Sequence, residues 1–462
     1  MNRRQFIYGG AGLGVTALLG SACASTKSGS ASSSAPAAAG HIVRAIALTE
    51  VFGEGQKLNA VAVEFDGPIS GSGLTASTFS VADRRVTRVY ANANPAVTSA
   101  PTNGRFAIIE LDGTDPKALL WNSNPGSTGP GPSSAAAGTG TSVPAAPATT
   151  PSVAGPPLGS TNHPVIETAK ATVTQRTEIR SAGGQRWAPD GPVTTSGTID
   201  PIVDKFAQRT FNDQSNRNIL PYNLYVPEGY DHNKSYPVML FMHDASVVGA
   251  PVKGPLVQGL GAVCWASPED QKRQPCFVVA PTYPSVVVSD DYQPTTYFDT
   301  TLNLLDALAH EYSIDRSRLH ATGQSMGAMM TLGMDIRHPG LFASSYVVAG
   351  QWPSEQAAPL ARAKLWITVS QGDTKAYPGE NAILGVVEQN GGRVTTATWD
   401  GRWTQPQFAA GVSEVESKNT PINYTSLLPG TVPATGGGAS EHMGTWKVAY
   451  GIPGIRRWIM GS

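Results

Sequence analysis

From about Asp204 to the C-terminus, short apolar runs alternate with segments of helical period, and no other feature of the chain restricts its fold so strongly. "YPVMLFMHDAS" runs from a buried strand into a loop, and "CFVVAPTY" is a second strand. "YFDTTLNLLDALAHEY" puts Phe298, Leu302, Leu305, Ala309 and Tyr312 on one helical face. "RLHATG" is a strand, and "MGAMMTLGMDIRHPG" is a helix stopped by Pro339-Gly340. "SYVVAG" and "LWITVSQGD" are strands, "GENAILGVVEQNGG" is a helix, and "RVTTATW" is a last strand. Residues 401–440 read as irregular and polar, and "GTWKVAYGIPGIRRWIM" closes the chain as helix. Such alternation predicts an α/β unit over 204–462, with a mostly parallel sheet flanked by helices.

The chain ahead of it has a different texture. From His41 to about Asn122, runs such as "NAVAVEFD" and "GRFAIIELDG" are bounded by Gly, Pro and Asp and show no helical period, so they read as strands. Residues 124–162 have few large apolar side chains and cannot bury a core, which predicts a disordered insertion rich in Ala, Pro and Gly. "KATVTQRTEIRS", from Lys170, is a further strand region that can complete the same small all-β domain, giving it bounds of 41–200.

The first 24 residues read as an export signal: a basic start with Arg3 and Arg4 of the twin-arginine type, then an apolar stretch too short to span a membrane. Residues 25–40 are a flexible tether. Two cleavage patterns compete, a lipoprotein box that would lipidate Cys23 and anchor the chain to a membrane, and an ordinary cut before Ser25. Either leaves Cys264 and Cys276, which in an oxidising compartment pair as a disulfide, with two buried free thiols as the alternative. The formal net charge is −1, which gives no reason to expect nucleic acid as a partner. Nothing in the pattern indicates an oligomeric state.

In "ATGQSMGAMM", Ser325 stands between Gly323 and Gly327. The G-x-S-x-G spacing alone is weak evidence in a chain with 50 glycines. Its setting, with a strand before and a helix after, is that of a serine nucleophile on a sharp turn; a helix N-cap serine is the plainer alternative. A serine nucleophile needs a histidine base and an orienting acid, which follow it in the order Ser, Asp/Glu, His. Two histidines remain downstream. His338 closes the helix after Ser325, away from the active edge, whereas His442 lies in "SEHMGTW", beyond the last strand. Asp373, directly after a buried strand, is the expected acid, with Asp400 its rival.

The oxyanion of an acyl-transfer intermediate needs backbone N–H donors. Met326 supplies one by position, and the loop "HDAS" supplies the other, from Ala245 or its rival Asp244. His243 braces that loop. Trp352, in "VAGQW", is assigned either to the acyl pocket or to core packing. There is no Walker loop, dinucleotide fingerprint or H-E-x-x-H, so neither a metal nor a cofactor is expected.

Together the blocks "LPYNLYVPEGYDHNKSYPVMLFMHDAS", "GAVCWASPEDQKRQPCFVVAP", "GQSMGAMM", "VAGQW", "VSQGDTKAYPGENA" and "HMGTWKVAYGIPGIRRWIM" make the chain resemble the secreted α/β-hydrolase esterases with an N-terminal immunoglobulin-like domain. More distantly it is similar to polyhydroxyalkanoate depolymerases and feruloyl esterases. The resemblance implies an α/β-hydrolase fold behind an immunoglobulin-like β-domain, a Ser325–Asp373–His442 triad, and an exported serine esterase whose substrate is an ester of polymeric or plant origin. A serine peptidase with the same triad and a catalytically silent surface-binding protein are the alternatives. Two departures stand out: Asp244 and Ser246 replace the glycines of many relatives, and the insertion at 124–162 is foreign to a compact immunoglobulin-like domain.

Overall fold

The computed structural model describes residues 41–123, 163–433 and 441–461. The expected leader, the tether, Cys23 and the insertion at 124–162 lie outside the described residues.

The second half is built on a nine-stranded sheet. Its strands in chain order are β1 (Ala207–Asp213), β2 (Asn218–Tyr225), β3 (Tyr236–Met242), β4 (Phe277–Pro281), β5 (Ile314–Gln324), β6 (Ser344–Val348), β7 (Leu365–Ser370), β8 (Val394–Trp399) and β9 (Ile422–Leu427). Across the sheet they run β1-β2-β4-β3-β5-β6-β7-β9-β8. The β1–β2 and β2–β4 pairs are antiparallel and every later pair is parallel. Parallel strands are covered on both faces, which is why β3 and β7 are apolar runs buried along their whole length. The longer helices are α1 (Tyr297–Glu311), α2 (Met326–Arg337), α3 (Ala376–Gln389), α4 (Gln405–Ser417), α5 (His442–Ala449) and α6 (Pro453–Met460).

Three expectations shift. The buried residues of α1 are Phe298, Thr300, Thr301, Leu304, Leu305 and Leu308, a face rotated from the one read from periodicity. Residues 401–440 are not irregular throughout, since they contain α4 and β9. "RVTTATW" is therefore not the last strand; β9 follows it and inserts between β7 and β8. The inserted strand reads "INYTSL", and the hydroxyl of its buried Thr425 is met by its neighbours. Thr425 Oγ1 donates to Ile367 O at 3.2 Å, accepts from Trp366 Nε1 at 3.1 Å and lies 2.8 Å from Thr368 Oγ1.

The first half is a second, seven-stranded sheet, ordered Phe79–Val81, Thr172–Gln175, Val193–Ile199, Ile42–Phe52, Gly55–Ile69, Gly104–Leu111 and Val86–Asn92. The chain after the insertion thus returns to the sheet it left: Thr172–Gln175 pairs antiparallel with Phe79–Val81. Strand alternation sends neighbouring residues to opposite faces. Ala45, Ala47, Val61 and Val63 join one apolar cluster, and Ile46, Leu48, Ala60 and Ala62 the other. Val51 and Trp121 from this half enter the core of the second. The turn between Phe52 and Gly55 meets α5 so closely that any side chain at Gly53 would overlap the Lys447 carbonyl.

Candidate active site

Between β5 and α2 the chain turns sharply on Ser325, whose backbone has φ 52° and ψ −117°. A non-glycine residue at positive φ is strained, and such strain persists only where its surroundings enforce it. The flanking glycines do so here. A Cβ at Gly323 would overlap the Gly327 carbonyl and come within 2.8 Å of Ala328 N, while a Cβ at Gly327 would overlap Met242 O. The turn therefore admits no side chain at either position, and the serine stands at the C-terminal edge of the sheet, ahead of the first turn of α2.

His442 begins α5 and reaches this edge. Its Nε2 is 2.8 Å from Ser325 Oγ, and its Nδ1 is 2.5 Å from Asp373 Oδ2. Asp373 follows β7 and is buried. Its other oxygen accepts from Lys375 N at 3.0 Å and Ala376 N at 2.9 Å. Burial pushes the Asp373 carboxyl up, but the His442 hydrogen bond and charge, with these two N–H donors, outweigh it and hold the group below its ordinary range. An ionised Asp373 fixes the proton on His442 Nδ1 and leaves the Nε2 lone pair facing the serine hydroxyl. The Trp446 ring stands edge-on to the imidazole at 5.1 Å. The rival groups are engaged elsewhere. Asp400 holds Arg402 through paired contacts of 2.9 and 2.7 Å. His338 is exposed at the end of α2.

The loop after β3 is braced from both sides. His243 is fully buried; its Nδ1 donates to Asp244 O at 2.7 Å and its Nε2 accepts from Tyr283 N at 2.9 Å. Burial lowers its pKa, so the ring is neutral with both nitrogens committed. The Asp244 carbonyl and the Ala245 N–H belong to one planar trans peptide. Anchoring the carbonyl on His243 turns the N–H the opposite way. Asp244 caps the turn Ala245–Val247 by accepting from Ser246 N at 2.9 Å, and its second oxygen accepts from Gln324 Nε2 at 2.8 Å. The acid in place of a glycine thus ties this loop to the residue before Ser325. Ala245 opens a helical turn and Met326 opens α2, so neither N–H has an acceptor within its own helix.

Trp352 takes the packing alternative. It is 3% exposed, its Nε1 donates to Gln356 Oε1 at 3.0 Å, and Tyr292 covers it at a ring distance of 5.8 Å. The segment carrying Tyr292 crosses the site. Val287 N lies 3.4 Å from Met326 Sδ, and Asp290 forms an ion pair with Lys375, two residues beyond Asp373. Sequence reading passed over this segment because it has no period.

The expected Cys264–Cys276 disulfide is absent; both are separate buried thiols. Cys264 Sγ faces Gly261 O at 3.9 Å, while Cys276 Sγ accepts from Gln271 Nε2 at 3.3 Å. Different partners hold the two sulfurs, and burial pushes each thiol up to about 12. Among the described residues no group of three His, Cys, Asp or Glu side chains could hold a metal ion. No helix among them is long and apolar enough to cross a membrane.

Residues 44–188 match the family described as the esterase Ig-like N-terminal domain. The match lies within the chain's N-terminal half. Its Ig-like domain bears out the resemblance to esterases that carry one. Two relatives point the same way. A poly(3-hydroxyalkanoate) depolymerase C from Paucimonas lemoignei is 27% identical over 157 residues, 34% of this chain and 37% of that protein. Acetylxylan esterase A from Emericella nidulans is 31% identical over 93 residues, 17% of this chain and 31% of that protein. The chain thus spans about a third of the length of either relative. The crystal structure of a thermostable esterase matches with a TM-score of 0.71, covering 91% of this chain and 99% of that one at 22% identity. That likeness is one of fold: an α/β-hydrolase-like half behind an Ig-like domain.

Proposed function

We propose that the protein is an exported serine hydrolase that cleaves carboxylic esters through an acyl-enzyme. The observation that carries this reading is the contact of Ser325 Oγ with His442 Nε2 at 2.8 Å, backed by Asp373 on the other ring nitrogen. Ser325 Oγ attacks the ester carbonyl as His442 Nε2 takes its proton. Asp373 stays ionised, holds the tautomer and stabilises the imidazolium. The N–H groups of Ala245 and Met326 receive the oxyanion. His442 then gives its proton to the departing alcohol, and water, activated by the same imidazole, releases the acid.

The Ig-like domain and the two relatives, one of them named an esterase, support ester rather than amide cleavage. Those names, a depolymerase of poly(3-hydroxyalkanoate) and an esterase of acetylxylan, support a polymeric or plant-derived ester. Export, supported by the basic and then apolar N-terminus, suits a substrate too large to enter a cell. The test is a panel of p-nitrophenyl esters of graded acyl length set against peptide anilides. Turnover of esters with none of anilides is expected; the reverse preference contradicts the reading.

A further inference from the structure

Glu441 immediately precedes His442, and its carboxylate ties down the segments around it. One oxygen accepts from the Ser370 hydroxyl, at the end of β7, and the other from Gly430 N at 2.5 Å, in the loop after β9. Ser370 Oγ in turn accepts from Gly372 N at 3.2 Å. Gly372 adjoins Asp373, and a Cβ there would overlap the Glu441 carboxylate. A second link runs in parallel. The Glu441 carbonyl accepts from Thr445 N at 3.1 Å and from Thr445 Oγ1 at 3.2 Å, and Thr445 Oγ1 accepts from Ser370 N at 3.1 Å. Ser370 O accepts from Asp373 N at 3.0 Å. The strand end that presents the acid and the helix start that presents the base are thus joined through the Glu441 carboxylate and, in parallel, through Thr445. Among the described residues no Lys or Arg forms an ion pair with Glu441. Among the described residues its carboxylate is met by a hydroxyl and an amide, whose directions fix position more than they balance charge.

We propose that Glu441 is a positioning residue of the active site, setting the distance between Asp373 and His442 by clamping Ser370, Gly372 and Gly430 around its carboxylate. The proposal rests on the reading of Ser325, His442 and Asp373 as a triad. The carboxylate touches no reacting atom; it acts through His442. A displacement of the base by about 1 Å is enough to cost up to about 100-fold in rate, so loss of the clamp registers in kcat rather than in substrate affinity.

The test compares Glu441→Ala, Glu441→Gln and Ser370→Ala on a short p-nitrophenyl ester. Glu441→Ala is expected to lower kcat about 10- to 100-fold with KM within about twofold of wild type. It should also shift or broaden the downfield proton resonance of the Asp373–His442 hydrogen bond. Ser370→Ala cuts the same tie from the opposite side while leaving the helix start intact, and should move kcat and the resonance in the same direction. It decides the matter if Glu441→Ala does not fold. Glu441→Gln keeps an acceptor for Gly430 N–H and a donor to Ser370 Oγ, and should restore kcat to within a few-fold of wild type. Wild-type kcat and an unmoved resonance in folded Glu441→Ala or Ser370→Ala overturn the proposal. So does a Gln variant as slow as the Ala variant, because charge would then carry the effect. Ser325→Ala assayed beside them separates the two readings: if it stays active, the triad fails first.

Discussion

Met242 O occupies the space that a Cβ on Gly327 would need. The end of one strand thereby dictates a glycine on the helix after Ser325. Gly327→Ala must push the nucleophile turn away from β3, and kcat on a small ester should fall at least about 100-fold in the fraction that folds. Gly385, on α3 with nothing within 4 Å of its Cβ position, is the control. Gly385→Ala should leave kcat unchanged and raise unfolding free energy by about 0.5–1 kcal/mol. Active-site titration with parallel denaturant melts checks both; a Gly327→Ala enzyme with normal turnover would mean the turn is not rigid.

The parts of the site that could be read from sequence are those with a local signature. Ser325 sits between a strand and a helix, and Asp373 directly follows an apolar run. His442 was reached by chain order among few histidines. What sequence did not reveal depends on partners far along the chain. β9 looks polar because Thr425 and Asn423 are buried against neighbouring strands rather than exposed. Asp244 looks like a departure from a glycine loop, yet its carboxylate is used by Ser246 and Gln324. Glu441 gives no signal at all, since its role exists only where β7 and α5 meet. The cysteines misled for the opposite reason: nearness in sequence says nothing about where two sulfurs point.

His243 aims the peptide that presents Ala245 N–H. His243→Ala should lower kcat by about 10- to 100-fold, less than deletion of a triad member and short of the full effect of losing an oxyanion donor. Affinity for a boronate transition-state analogue should fall in proportion, while KM changes little. Kinetics and inhibition constants measured on the same preparation decide it. Unchanged analogue binding would remove His243 from the oxyanion loop's support.

His320 makes stability acid-sensitive. Its Nδ1 donates to Ser344 Oγ at 2.8 Å, and Ser344 passes its own proton to Ile459 O at 2.7 Å. Burial, with Lys364 and Arg318 nearby, lowers its pKa from 6.5 to about 4. The unfolded chain therefore takes this proton first. The stability contribution is fully present above pH 6.5 and is lost as pH falls towards about 4, amounting to about 3 kcal/mol at the lower limit. Urea unfolding of wild type and His320→Asn between pH 7 and pH 4 should show a shallower acid slope in the variant. Equal slopes would assign the acid sensitivity elsewhere.

With both sulfurs buried and their thiols pushed up to about 12, Cys264 and Cys276 should resist alkylation in the native protein. In denaturant without reductant both should react, and peptide masses should carry two labels. Two unlabelled peptides joined by a bridge would restore the disulfide.

The account turns on the hydroxyl of Ser325. A fluorophosphonate should add one phosphonyl group per chain, located by peptide mass on Ser325, with ester turnover lost in step. Ser325→Ala should take up no label and lose about 10⁴- to 10⁶-fold in kcat with its melting temperature unchanged. A Ser325→Ala protein that keeps more than about a tenth of wild-type turnover, or still takes the label, would contradict it.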